Sequence, residues 1–359
     1  MSVKSQGLEP LRQQIDELDA QLLALLNRRA EVVRQVGVLK ARTGQAAYVP
    51  SREREIYERL RGQNPGPLPF EAVRAIFREV LSACRALEGP LRVAFLGPQA
   101  TFTQLACLQH FGSGAELVPR RNIADVFAEV ERERAQFGVV PIENSNEGIV
   151  SHTLDTFVDS PLQICAEVLL EISLDLLSQS GRLDAVREVH SHPQALAQCR
   201  GWLEEHLPGV PTHDAASTAA AAQLAAREPQ CAAIASEVAA ALYALQVVAK
   251  RIQDQAQNYT RFLVIGRESA APTGADKTSV MFAVKDEPGL LHRCLEPFAH
   301  RGINLSKIES RPLKGRPWEY MFFVDLDGHG SDPNVGQALA ELEAHCLVVK
   351  SLGSYPRAL

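Results

Sequence analysis

One apolar stripe governs what the first ninety residues can become. Leu8, Leu11, Ile15, Leu18, Leu22, Leu25, Leu26, Val32, Val33, Val36 and Leu39 recur at helical spacing, which predicts a single helix over residues 8–42. At 1.5 Å per residue it would run roughly 50 Å. A helix that long cannot bury its stripe against itself, so it needs partner helices. Two shorter helices are predicted after it, one starting near Ser51 in REREIYERL and one over residues 70–87, beyond the breaker NPGPLP. No strand signal appears before residue 91.

From 91 to about 266 the pattern changes. Short apolar runs (LRVAFLG, FGVVPI, CAAIAS, FLVIG) alternate with helical stretches, which predicts a parallel βα architecture. GRESAAPTGAD at 266–276 reads as a linker. From 277 to about 354 the order is strand, helix, strand, strand, helix, strand, a ferredoxin-like unit. The expected domains are therefore 1–90, 91–268 and 277–355.

Composition narrows the function classes. Residues 1–90 carry 14 Lys and Arg against 11 Asp and Glu, while the whole chain has a net charge of −6. A basic first segment on an acidic chain suits an anionic ligand. There is no basic run of the kind nucleic acid demands. The seven cysteines are scattered singly, as in a reducing cytoplasm, and the ten histidines form no ligand motif, so no metal is expected. No apolar run is long enough for a membrane span, and no signal peptide is seen.

The long helix carries charge on its apolar face. With Leu8 at zero and 100° per residue, the stripe covers roughly 220–360°, and Arg29 and Lys40 fall near 300° and 320°. A charge there costs several kcal/mol unless compensated. The two lie roughly 16 Å apart along the axis, so they can converge on a dianion; the plainer alternative is that both snorkel or pair with acids on neighbouring helices. Arg12 sits about 25 Å from Arg29 and can share its pocket only from a second chain, which would imply a dimer with antiparallel long helices.

Residues 8–88 resemble the all-helical chorismate mutase family. The matching residues are Arg12 in LRQQID, Arg29 in LLNRRAEV, Lys40 in VGVLK, and Arg52 and Glu53 in REREI. The resemblance implies three helices in an intertwined dimer, with those five residues and Glu88 at the site. Val49 and Cys84 stand at substrate positions where aspartate and serine are frequent. The reaction is a Claisen rearrangement, which needs a folded substrate and positive charge at the breaking ether oxygen rather than a nucleophile. Glu88 must be protonated to donate to that oxygen.

Five motifs punctuate the βα region. GPQATFTQ offers Thr101 and Thr103 at a helix start, either as simple caps or as carboxylate binders. VVPIENSNEGIV puts Glu143 and Asn144 at a strand's carboxyl end, where sites of such folds lie. SHPQALAQC offers Ser191 as a helix cap and Gln198 within the helix. DAASTAAAA begins a helix at Ser217 or Thr218, where capping is the favoured reading. NYTRF contains Thr260 and Arg261. In order and identity these resemble prephenate dehydratase over essentially all of 91–266. That implies a two-lobed fold like periplasmic binding proteins, with Thr260 catalytic and Glu143, Asn144, Ser191 and Gln198 lining the cleft. Arg261 is a carboxylate partner or a core ion-pair member. The family commonly has glycine where Ala100 stands; if positive φ is needed there, alanine costs about 1 kcal/mol or more. Aromatisation drives the reaction, so no cofactor is required; Thr260 is expected to donate a hydrogen bond to the leaving hydroxyl, in relay with Glu143.

Residues 277–354 resemble the ACT family of amino-acid-binding modules. DEPGLLHRCL carries Gly289, Leu290 and Leu291, and INLSKIESRP carries Glu309, Ser310, Arg311 and Pro312; the resemblance makes these an L-phenylalanine effector site. The combined expectation is a cytoplasmic homodimer or dimer of dimers that converts chorismate through prephenate to phenylpyruvate under phenylalanine control. The alternatives are a dehydratase with a degenerate, structural helical domain and a non-enzymatic amino-acid sensor.

Overall fold

The computed structural model describes residues 8–43, 48, 50–146, 148–255, 257–312 and 320–358. Two compact units are present. One comprises the helical segment up to Leu91, less Pro50–Ile56, together with Phe111–Glu116; the other comprises the remainder.

The helical segment has the three expected helices: α1 (Leu8–Thr43), α2 (Pro50–Gln63) and α3 (Phe70–Ala86). On α1 the residues Arg29, Ala30, Val33, Gly37 and Lys40 are half-buried. Twelve large apolar side chains of the same helix, Leu8 to Leu39, remain 41–61% exposed. In α3, Leu81, Ser82, Cys84 and Arg85 are buried.

The second unit begins with β1 (Arg92–Leu96), α4 (Phe102–Phe111), β2 (Glu116–Arg120), α5 (Ile123–Glu131), β3 (Phe137–Asn144), β4 (Gly148–Ile149), α6 (Ser151–Asp159) and β5 (Gln163–Glu171). A second lobe follows: β6 (Asp175–Ser178), β7 (Glu188–Ser191), α7 (Pro193–Gln198), α8 (Arg200–His206), β8 (Thr212–Asp214), α9 (Thr218–Ala225), β9 (Cys231–Ala235), α10 (Glu237–Tyr243) and β10 (Gln246–Ala249). The chain then returns through β11 (Tyr259–Gly266). The first sheet has the order β2-β1-β3-β11-β5 and the second β10-β6-β9-β7-β8. Neither is wholly parallel, as the alternating pattern had predicted. β1–β3, β7–β8 and β7–β9 are parallel, but β11 runs against both β3 and β5 because it carries the chain back from the second lobe. β6 likewise runs against β9 and β10. The alanine-rich α9 lies close on β9, with Ala219, Ala222 and Ala225 in one core with Ala233 and Ala235.

The C-terminal part contains β12 (Asp276–Val284), α11 (Leu290–His300), β13 (Leu305–Pro312), β14 (Tyr320–Asp327), α12 (Pro333–Glu343) and β15 (Val348–Pro356), with sheet order β13-β14-β12-β15. Strand alternation gives this sheet two working faces. Val280, Phe282, Val324 and Leu326 pack under the two helices with Cys294, Phe298 and Leu342. Met281, Phe323, Leu352 and Tyr355 face the other way and join Ile142, Leu154, Phe157 and Leu263 of the first lobe in one core. The segment expected as a linker is tied down at this junction: Ser269 Oγ and the Ala270 amide both donate to the Ser354 carbonyl, at 2.8 and 3.2 Å. Among the described residues no helix is long and apolar enough to cross a membrane.

Candidate functional site

In the helical unit, Arg29, Val33, Gly37 and Lys40 fall within about 80° of one another on α1. Lys40 Nζ donates to Glu88 Oε2 at 3.2 Å, and the Glu88 side chain is only 8% exposed. Arg29 Nη1 is buried with no hydrogen-bond partner among the described residues. A buried guanidinium nitrogen left unpaired is costly, and an anionic oxygen would satisfy it. Gly37 was not singled out in the sequence, yet it makes this arrangement possible. A Cβ there would lie 3.0 Å from Glu88 Cγ. Its signal was a helix-weakening glycine inside an otherwise strong helical pattern.

The other expected mutase residues are more dispersed. Arg12 is well exposed and pairs with Glu9 at 3.6 Å. Arg52, at the start of α2, is exposed and pairs with Glu55 at 2.6 Å, and Glu53 beside it is half-buried. Cys84 is buried on α3. Val49 lies outside the described residues.

The dehydratase residues are sorted by strand alternation. Thr260 on β11 is paired across the sheet with Asn144 on β3, and Arg261 with Glu143. Successive residues point to opposite faces, so these are two different surfaces. On the first, Asn144 Nδ2 donates to Thr260 Oγ1 at 2.9 Å and to Asn258 Oδ1 at 3.0 Å. Asn258 Nδ2 in turn donates to Gln198 Oε1 at 2.8 Å, so the chain of amides joins the two lobes. Asn258 is almost fully buried, and the sequence reading missed it. Its clue was its place two residues before Thr260 in NYTRF. With Oγ1 already accepting, the Thr260 hydroxyl hydrogen has no acceptor among the described residues and is available to a substrate.

On the opposite surface, Glu143 accepts from Lys307 Nζ at 3.0 Å and lies 3.9 Å from Arg261 Nη1. This corrects the expected relay from Glu143 to Thr260, because the carboxylate faces the C-terminal sheet instead of the amide network. Arg261 donates from Nε to Glu167 (2.8 Å), from Nη1 to Asp325 (2.6 Å) and from Nη2 to the Tyr355 hydroxyl (2.9 Å). Of the two readings of Arg261, the buried ion-pair member holds. Burial opposes its charge, but Tyr355, Asp325 and Glu167 outweigh that and raise its pKa.

Ser191 is fully buried and donates to the Ile234 carbonyl at 2.6 Å. It does not cap α7; His192 does, accepting weakly from the Gln194 amide. Ser217 caps α9, accepting from Ala220 N at 3.0 Å. Thr101 is no cap either: its hydroxyl donates to the carbonyls of Leu96 and Pro98, at 3.2 and 3.0 Å. Thr103 is buried. Ala100 has φ 63°, so the strained conformation anticipated for this position is present. An open cleft of about 750 Å³ beside it is lined by Gly97, Gln99, Arg120 and Arg121 of the first lobe and by Gln223 and Tyr243 of the second.

In the C-terminal part, Gly289 has φ 75° and precedes α11. A Cβ there would meet only Arg293 at 3.7 Å, so backbone conformation rather than crowding selects glycine. Leu290 is buried and Leu291 half-buried. Glu309, Ser310, Arg311 and Pro312 all lie on β13, with alternate exposure. Arg311 was expected at an effector, but it is engaged by α6, donating to Ser151 Oγ at 2.8 Å and to Asp155 at 3.1 Å. The histidines, scattered in sequence, gather once among the described residues: His190 and His213 meet Glu188 on the second lobe.

Comparison with known proteins matches three families in order. These are chorismate mutase type II over residues 11–89, prephenate dehydratase over 93–270 and the ACT domain over 278–344. The chain is 49% identical to a bifunctional chorismate mutase/prephenate dehydratase of Aquifex aeolicus, covering 98% of both chains. It is 43% identical, over 98% of each, to the protein of the same description from Pseudomonas aeruginosa. Among solved structures it resembles the prephenate dehydratase of Arthrobacter aurescens in complex with L-Phe, with TM-score 0.70 and 39% identity over 75% of this chain and 90% of that one.

Proposed function

This chain belongs to the bifunctional chorismate mutase/prephenate dehydratase family, and on that premise we propose how its residues divide the work. It is an enzyme of L-phenylalanine biosynthesis that rearranges chorismate to prephenate and converts prephenate to phenylpyruvate. Residues 1–90 carry the first step, 91–268 the second, and 277–355 bind phenylalanine, the ligand named for the Arthrobacter relative.

At the mutase site, Arg29 and Lys40 bind the two substrate carboxylates, and the Glu88 carboxyl, protonated and released from Lys40, donates a hydrogen bond to the ether oxygen. The exposed apolar stripe of α1 is covered by a second copy, whose Arg12 closes the pocket. Burying that stripe favours association strongly, since each fully buried large apolar side chain contributes about 1.5–3 kcal/mol. The free thiols fit a cytoplasmic location.

At the dehydratase site, the observation that carries the reading is the bond from Asn144 Nδ2 to Thr260 Oγ1. It leaves the threonine proton free for the substrate. Prephenate loses its ring carboxylate as CO2 and its ring hydroxyl, with one proton, as water. Thr260 donates a hydrogen bond to that leaving oxygen, and the Asn144–Asn258–Gln198 chain fixes its direction. The test is a pair of variants assayed on both substrates. Thr260→Val should lose dehydratase activity by about 10²–10³-fold and keep the mutase, with Thr260→Ser near wild type. Arg29→Met should do the reverse. Full dehydratase activity in Thr260→Val removes the assignment.

A further inference from the structure

We propose that Glu188, His190 and His213 form a binding site for a divalent cation of the zinc class on the second lobe. On β7, Glu188 and His190 are two apart and so share one face, while Val189 between them is buried in the lobe's core. The parallel register sets His213 of β8 beside His190, and Cys231 of β9 beside Glu188. Three adjacent strands thus deliver four side chains capable of binding or supporting an ion to one patch.

The distances fit an ion better than they fit hydrogen bonds. His190 Nε2 and His213 Nε2 each lie 3.3 Å from the same Glu188 oxygen, and the three ligand atoms are all within 4.8 Å of one another. Bonds of about 2.1 Å to a tetrahedral zinc place neighbouring ligand atoms about 3.4 Å apart. A good N–H···O bond is nearer 2.9 Å. The imidazole rings stack, with centroids 4.9 Å apart and planes 23° apart, so both present Nε2 to the carboxylate side by side. Gln230 Nε2 reaches the other Glu188 oxygen at 3.4 Å. Cys231 of β9 stands beside Glu188 in the strand register, placed to support the carboxylate as outer groups orient metal ligands. The site is open to solvent, since His213 is 48% and Glu188 27% exposed. Two imidazoles and one carboxylate select zinc, cobalt or copper over magnesium or calcium. An ion would also pin β8, a three-residue edge strand exposed throughout.

The experiment titrates Zn2+ and Co2+ into untagged, EDTA-stripped full-length protein by calorimetry, with melting temperature and the visible spectrum of the Co2+ form followed in parallel. The expected result is one ion per chain, a higher melting temperature and the intense bands of four-coordinate Co2+. His213→Ala and, as a second variant, His190→Gln should weaken binding more than about tenfold, without changing phenylpyruvate formation in the metal-free enzyme. Binding unchanged in both variants overturns the proposal. So does absence of one-to-one uptake of either ion.

Discussion

Replacing Gly37 with alanine sets two effects against each other, and the structure gives a size to both. In a helix interior alanine is favoured over glycine by about 0.8–1.0 kcal/mol, so the substitution alone should raise stability. The new Cβ, however, would lie 3.0 Å from Glu88 Cγ and 3.3 Å from Glu88 Cβ. Ordinary contact requires a few tenths of an ångström more, so the Glu88 side chain must swing away from α1. Its carboxylate, at the end of that lever, is what Lys40 holds at 3.2 Å. Misplacement of a catalytic group by 1 Å costs about 10²-fold, and a smaller shift should cost roughly tenfold. The expected outcome is a mutase kcat/KM lower by about tenfold, an unchanged dehydratase and an unchanged or higher melting temperature. Coupled assays on chorismate and on prephenate, with urea unfolding alongside, measure all three. Unchanged mutase activity in the folded variant would refute the reasoning, because Glu88 would then not need the space that Gly37 leaves.

Other predictions follow from the same geometry. Glu88→Gln keeps a hydrogen-bond donor for the ether oxygen and should retain mutase activity, whereas Glu88→Ala should lower mutase kcat/KM by about 10²-fold; unchanged activity in Glu88→Ala sinks the idea. Arg261→Leu leaves the buried Asp325 without its cation partner, while Glu167 keeps Lys277 at 3.1 Å; it should cost about 3–5 kcal/mol in chemical unfolding, whereas a loss below 1 kcal/mol would show the cluster to be marginal. Burial would raise the pKa of Asp325, but Arg261 and Ser279 hold it below the ordinary carboxylate range. Its contribution is therefore complete above about pH 4 and lost as pH falls through the depressed value. The parent's stability should drop on that acid side, and the drop should shrink in Arg261→Leu.

Much of this was legible because the signals were local. The stripe from Leu8 to Leu39 gave α1 to within one residue, and the β-α-β-β-α-β order gave the C-terminal unit. Ala100 was marked through the family resemblance, since glycine is common at that position, and it does have positive φ. Illegible features depend on which strand lies beside which. That Thr260 and Asn144 share a face while Glu143 and Arg261 share the other follows from the β3–β11 register, which no local pattern encodes. The same holds for Asn258 reaching Gln198, 60 residues away, and for Glu188, His190 and His213 converging from two strands. The local sequence suggested Ser191 as a helix cap, and only the fold shows that its hydroxyl goes to the Ile234 carbonyl.

The most direct test is to incubate the purified protein with chorismate and follow prephenate and phenylpyruvate separately, with and without phenylalanine. Appearance of prephenate followed by phenylpyruvate, suppressed by phenylalanine, is the predicted result. Conversion of prephenate without conversion of chorismate would contradict the roles given to Arg29, Lys40 and Glu88, and turnover of neither would contradict the account as a whole.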